Sequence, residues 1–210
     1  MPIKHHPDIA SLMTCAAGSQ PEVLSAVIAS HLATCAHCRR ELRRLSEIGV
    51  VLFEDLLAEP LVQHVPNLAA ESSQSTFIET NSLAKHTDLV RPLSCLTDTE
   101  LNELNWTDCA DGVSYSCVPL SDTAQGDLRL LRLAPGASVW LDGDPGEAHL
   151  AVLRESCRLG TSHYGFGDFA DRAAFDGKRI TADAARGCTV LIANEKVLRL
   201  SHRQAQADYG

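Results

Sequence analysis

The sequence predicts an α + β chain of two domains, a small all-α unit followed by an all-β barrel or sandwich. Three observations carry that prediction. Residues 7–56 place apolar side chains at helical spacing, residues 113–201 hold short β-prone runs broken by Gly, Asp and Pro, and the stretch between them has neither period. The boundaries fall at 1–65 for the helical unit, 66–90 for a linker with room for one short helix, and 91–210 for the β unit. A length of 210 residues accommodates two small domains or one large one.

The first helix is expected over 7–18, with Ile9, Leu12, Met13 and Ala16 on one face and Gly18 where a C-terminal cap belongs. Ser19-Gln20-Pro21-Glu22 reads as a Ser-x-x-Glu capping box with Pro in the first turn, opening a second helix through Val23, Leu24, Val27, Ile28 and Leu32. Leu42, Leu45, Ile48, Leu52 and Leu56 mark a third helix, which Pro60 would stop. This leucine set reads first as intradomain core and second as a groove for a partner. Arg39, Arg40, Arg43 and Arg44 would oppose the dipole of a helix beginning at 39, which argues for an abrupt start after a metal-fixed turn. The basic run itself reads as a solvated face. Beyond the polar stretch from Pro66 to His86, strands are expected at Val113–Pro119, Leu128–Leu133, Ser138–Leu141, His149–Leu153, Thr189–Ala193 and Val197–Ser201.

With 18 Lys plus Arg against 27 Asp plus Glu the net charge is −9, and no segment is basic enough to neutralise a run of phosphates. Nucleic-acid binding is therefore excluded as a leading function, and a protein partner is favoured. The N-terminus lacks the basic, apolar and small-residue succession of a secretory signal, and Ser25, Ser30 and His31 interrupt the longest apolar stretch. A cytoplasmic protein without a membrane span is expected. In that reducing compartment the eight cysteines read as metal ligands, redox thiols or small buried residues rather than a disulfide framework.

Spacing singles out His31-Leu-Ala-Thr-Cys35-Ala-His-Cys38. On one helix His31 and Cys35, four apart, face the same way, and Cys38 closes the same side as the helix ends. Thiolate and imidazole together suit Zn²⁺, which takes four ligands tetrahedrally in structural sites. The fourth comes from elsewhere: His6 or His5 is nearest, with Cys15 and His37 as rivals. A redox Cys-x-x-Cys would instead sit in a βαβ context, which this helical region lacks.

His6 with His31-x-x-x-Cys35-x-x-Cys38 in a short helical N-terminal unit, ahead of a β-rich C-terminal one, resembles the ChrR-type zinc-binding anti-sigma factors. The similarity is strongest over residues 1–60, including the His-His start, Ala16-Ala17-Gly18 and His31-Leu32, and looser across 91–200. It implies one zinc ion on His6, His31, Cys35 and Cys38. It also implies an extracytoplasmic-function sigma factor as partner, sequestered by the helical unit, and a C-terminal cupin-like barrel needed for the response to oxidative signals.

The cupin half departs from its pattern. At the spacing of the first cupin metal motif, Gly136 is followed by Asp142-Gly-Asp144 in place of His-x-His, and the Glu position falls on Ala148 or His149. The second motif survives as Gly165-Phe-Gly167-Asp168, but its downstream His falls near Lys178 or Arg179. Asp142, Asp144 and His149, with Glu147, constitute a weak second site of the oxygen-rich kind that holds Mn²⁺ or Mg²⁺. The favoured reading of Asp-Gly-Asp-Pro-Gly is a surface turn and a cupin that has lost its metal. Cys95, Cys109, Cys117, Cys157 and Cys188 each read as core before sensor. The rival function is a metal-dependent cupin enzyme, dioxygenase-like, with an accessory zinc domain.

Overall fold

The computed structural model describes residues 2–54, 92–142, 148–171, 174, 179–194 and 199–201. Helix α1 (Ile9–Ala16) starts where Asp8 caps it, its Oδ1 accepting the Ser11 N–H at 2.7 Å. It ends in paired bonds from Gly18 N to Cys15 O and from Ser19 N to Thr14 O, a Schellman closure. Helix α2 spans Glu22–Thr34 and α3 spans Ala36–Glu54, with Cys35 alone between them in extended conformation.

Two expectations about these helices are corrected. The capping box at Ser19–Glu22 does not form, because α2 begins at Glu22 with Pro21 at the N-cap rather than at Gln20 with Ser19 there, and no side chain caps it. The Glu22 carboxylate is instead taken by the barrel, accepting from Ser121 N at 3.0 Å and from the Ser121 hydroxyl. Nor do His31, Cys35 and Cys38 share one helix, since α2 stops at Thr34 and Cys38 lies in the first turn of α3. The arginine run meets no dipole penalty at Arg39, whose guanidinium folds back to donate to the Leu32 and Ala33 carbonyls at the end of α2. Leu56, Pro60 and the 66–90 linker lie outside the described residues.

After Pro92 a short 3-10 turn (Leu93–Cys95) leads to α4 (Asp98–Asn102), where Thr97 and Glu100 form a complete capping box. Among the described residues ten strands follow: β1 (Thr107–Ala110), β2 (Val113–Cys117), β3 (Asp127–Leu133), β4 (Ser138–Asp142), β5 (His149–Leu159), β6 (Ser162–Gly165), β7 (Phe169–Ala170), β8 (Arg179–Ala182), β9 (Cys188–Asn194) and β10 (Arg199–Ser201). All pair antiparallel in the order β1-β2-β3-β9-β5-β8-β4-β10, with β6 and β7 also on β5. The first half of β5 pairs with β9 and β7, the second half with β8 and β6. A register break between Val152 and Arg154 and a φ of 57° at Glu155 mark the bend where β5 passes from one sheet to the other. The two sheets thus wrap one core as a nearly closed antiparallel barrel.

Alternation along the central strands divides the apolar residues between two cores. Leu131, Leu133, Leu150, Val152, Val190 and Ile192 face the barrel interior. Leu128, Leu130, Ala151, Leu153, Leu191 and Ala193 face outward, where Leu12 of α1 and Val23, Leu24, Val27 and Ile28 of α2 cover them. Strand β9 is consequently buried along its whole length. The helical unit is seated on the barrel wall through a continuous apolar layer.

Candidate metal centre

His31 is carried by the last turn of α2, Cys35 by the junction and Cys38 by the first turn of α3, while His6 arrives on the extended segment before α1. One ligand atom from each lies within 4.8 Å of every other, and this is the group of metal-ligating side chains found among the described residues. His31, Cys35 and Cys38 are buried and His6 is exposed. His6 Nδ1 stands 3.4 Å from both Cys35 Sγ and Cys38 Sγ, and His31 Nε2 stands 3.3 Å from Cys38 Sγ. Nitrogen at about 2.05 Å and sulfur at about 2.3 Å from a tetrahedral Zn²⁺ would be about 3.6 Å apart. The donor set and its spacing therefore fit one tetrahedral ion with two nitrogens and two sulfurs.

The sequence rivals for the fourth position do not join the group. Cys15 is half-buried on α1, and exposed His37 reaches the His6 ring only edge-on, with centroids 5.2 Å apart. His5 turns away to lie over Tyr164, centroids 4.2 Å apart, with its Nδ1 3.4 Å from Asp168 Oδ2.

Local electrostatics favour neutral imidazole at the centre. Burial pushes His31 down to about 4, against the opposing effect of its hydrogen bond to the Gly167 carbonyl. A carbonyl can only accept, so Nδ1 carries the proton and Nε2 presents its lone pair toward the thiols. His6 is lowered by burial and by neighbouring His37. Burial, with the Cys35 thiol beside it, pushes Cys38 up to about 12, so a cation that binds here must displace thiol protons.

Sequence reasoning picked out Asp168 only as part of the second cupin motif and missed its contact from the barrel with the N-terminal segment. Burial raises its carboxyl, but backbone N–H donors from Gly165, His5 and Lys4 more than offset this and hold it below the usual carboxylate range. Its Oδ1 accepts Lys4 N at 2.7 Å and His5 N at 3.0 Å, and its Oδ2 accepts Gly165 N at 2.8 Å. The available signal was an Asp in a Gly-x-Gly-Asp turn, but nothing local pointed it at residue 4.

Of the weak second site, Asp142 ends β4, and Asp144 and Glu147 lie outside the described residues. His149 is buried on the outer face of β5 beside Ala151, its ring 5.4 Å from that of Phe169, and it lines a cleft with Asp8, Gln20 and Asp171. Cys157 and Cys188 are buried in the barrel core as expected, whereas Cys95, Cys109 and Cys117 are exposed. No helix among the described residues is long and apolar enough to cross a membrane.

Comparison with known proteins places this geometry. No protein-family model matches the chain. The anti-sigma-E factor ChrR of Cereibacter sphaeroides is 30% identical over 206 residues, covering 96% of this chain and 94% of its own. A chain in the crystal structure of Rhodobacter sphaeroides SigE in complex with the anti-sigma ChrR superposes with a TM-score of 0.70 at 26% identity, over 92% of this chain and 99% of that one. The polyketide cyclase RemF of Streptomyces resistomycificus covers 50% of this chain and 84% of its own, at a TM-score of 0.41 and 15% identity. The first of these likenesses runs over nearly the whole of both chains, and the chain belongs to the ChrR family of anti-sigma factors.

Proposed function

We propose that this protein is a cytoplasmic anti-sigma factor that sequesters an extracytoplasmic-function sigma factor through its helical unit. One Zn²⁺ on His6, His31, Cys35 and Cys38 fixes the α2–α3 turn, and the cupin-like barrel tunes release in response to an oxidative or small-molecule signal. The observation that carries the reading is the match, over nearly the full length of both chains, to an anti-sigma factor crystallised with its sigma factor. It is supported by an apolar surface: Ile9 and Met13 of α1 are 56% and 54% exposed and Ile48 of α3 is 59% exposed, on two helices that pack together. Family membership favours the regulator over the cupin enzyme.

Zinc supplies a structural crosslink when bound. The residues of this chain do the rest: Arg39 closes the end of α2, Cys35 makes the bend, and α1 and α3 present Ile9, Met13 and Ile48 on adjacent helices. A sigma factor helix with an apolar face would bury these side chains.

The test is co-expression of the full chain with its cognate sigma factor, measuring recovered complex and bound zinc for wild type, Cys38→Ser and Ile48→Asp. The expected result is a zinc-containing wild-type complex, loss of zinc and weakened capture with Cys38→Ser, and weakened capture with zinc retained for Ile48→Asp. A complex of unchanged strength in the zinc-free variant would remove the metal from the binding role, and absence of any complex with zinc still bound would overturn the partner.

A further inference from the structure

Two of the four metal-ligating residues are positioned by one turn of the barrel. The turn between β6 and β7 places the Gly167 carbonyl 2.7 Å from His31 Nδ1, and the 4% exposed Asp168 receives the backbone N–H groups of Lys4 and His5. Phe169 N then donates to His5 O at 3.1 Å, so residues 4–5 are fastened to the turn from both sides immediately before His6. Gly167 itself has φ +82°, and a Cβ there would sit 2.8 Å from Ile3 Cδ1 and 2.9 Å from Thr34 Oγ1. The turn is thus wedged between the N-terminal segment and the end of α2, in contact with both elements that deliver ligands.

We propose that the Gly165–Phe169 turn of the barrel is the outer shell of the metal centre, with Asp168 as its positioning residue, so that metal affinity and barrel conformation are coupled. The proposal rests on the four-residue centre being a metal site, as set out above. A ligating histidine whose second nitrogen is held by an acceptor is fixed in tautomer and orientation, and removal of such partners typically costs about 10–100-fold in metal affinity. Gly167 fulfils that part for His31. Asp168 acts on His6 through the chain, since a carboxylate buried against two successive N–H donors fixes the backbone from which the His6 side chain departs. A disturbance of the barrel that shifts this turn loosens two ligands together. Linkage makes the effect mutual: metal binding tightens the seat of the N-terminal segment on the barrel.

The test uses the full chain with three substitutions: Asp168→Ala, Gly167→Ala, and Leu131→Ala as a control inside the barrel core, far from the turn in sequence and on β3, which pairs with β2 and β9 rather than with β6 or β7. Zinc affinity is measured by competition with a chromophoric chelator, thermal midpoint by calorimetry, and backbone protection by hydrogen exchange with and without zinc. Asp168→Ala and Gly167→Ala should weaken zinc about 10–100-fold, while Leu131→Ala lowers the midpoint with affinity changed less than about threefold. Without zinc, Asp168→Ala should speed exchange at Lys4 and His5; with zinc, the wild type should gain protection at Gly165 and Phe169. Unchanged affinity in both turn variants, or an equal loss in Leu131→Ala, would overturn the proposal and leave the metal site standing. Failure of the wild type to take zinc at all would overturn the metal reading, and with it the coupling.

Discussion

Leu24 tests whether the helical unit and the barrel form one cooperative structure. Its side chain is 2% exposed in the layer that α2 makes with Leu128, Leu153 and Leu191 on the outer barrel wall. Leu24→Ala deletes three carbons where the facing groups are side chains borne on barrel strands, which limits how far they can collapse into the space. Transfer alone costs about 2–2.5 kcal/mol for those carbons, and the residual cavity brings the expected loss to about 3–4 kcal/mol. That is two to three orders of magnitude in the folded-to-unfolded ratio by about 1.4 kcal/mol per decade. The assay is urea unfolding of the full chain, followed by helical circular dichroism and by the fluorescence of Trp106 and Trp140, both of which belong to the barrel half. A single transition, coincident in both probes and displaced to lower urea with unchanged slope, is expected. If the helical signal melted early while the tryptophan transition stayed in place, the two halves would be independent and the shared layer would contribute little.

Two further substitutions probe the barrel's own ties. Gly187, at φ +75° in the β8–β9 hairpin, leaves no room for a Cβ, which would lie 2.4 Å from the Leu133 carbonyl oxygen. Gly187→Ala should therefore cost at least about 2 kcal/mol in a thermal or urea melt, and an unshifted midpoint would mean the hairpin moves freely. Arg154 donates to Asp98 and to the Ser94 and Leu96 carbonyls, fastening the segment before α4 to β5. Arg154→Met should cost about 1–3 kcal/mol and speed hydrogen exchange at residues 93–98 while β3, β9 and β5 stay protected; uniform acceleration would contradict that local role.

The helices and the cluster were legible because their signals are local. Apolar spacing located α1 and α2, Gly18 located the end of α1, and the His31, Cys35 and Cys38 spacing brought out three of the four grouped side chains. The one-helix reading of that spacing failed because Cys35 itself makes the bend between two helices, which periodicity does not register. In the barrel, Leu128–Leu133 and Thr189–Ala193 announced themselves as apolar runs, since α2 covers their outer face and both faces are buried. The continuation of β5 through Arg154, Glu155, Ser156 and Arg158 was invisible: after the bulge these positions are polar and half-buried or exposed, so no apolar run marks the strand. Strands β1, β6, β7 and β8 were missed because they are four residues or shorter, and the tie from Asp168 to the N-terminal segment because Lys4 and His5 lie more than 160 residues away.

The seat of α2 also decides what a metal ion contributes. In a free-standing zinc module, metal binding is folding energy, since no other core exists. Here α2 buries Val23, Leu24, Val27 and Ile28 against the barrel irrespective of the cluster. Helix α3 is differently placed: its main neighbours are α1 and α2, and it joins α2 through Cys35 alone. A crosslink from His6 and His31 to Cys35 and Cys38 spans that joint, so its energy goes chiefly into the direction of α3. Ile48 is carried on α3 and Ile9 and Met13 on α1, so their relative placement follows the crosslink. Loss of a ligand should then scatter the apolar surface while leaving α2 in its seat, which separates loss of partner binding from loss of fold.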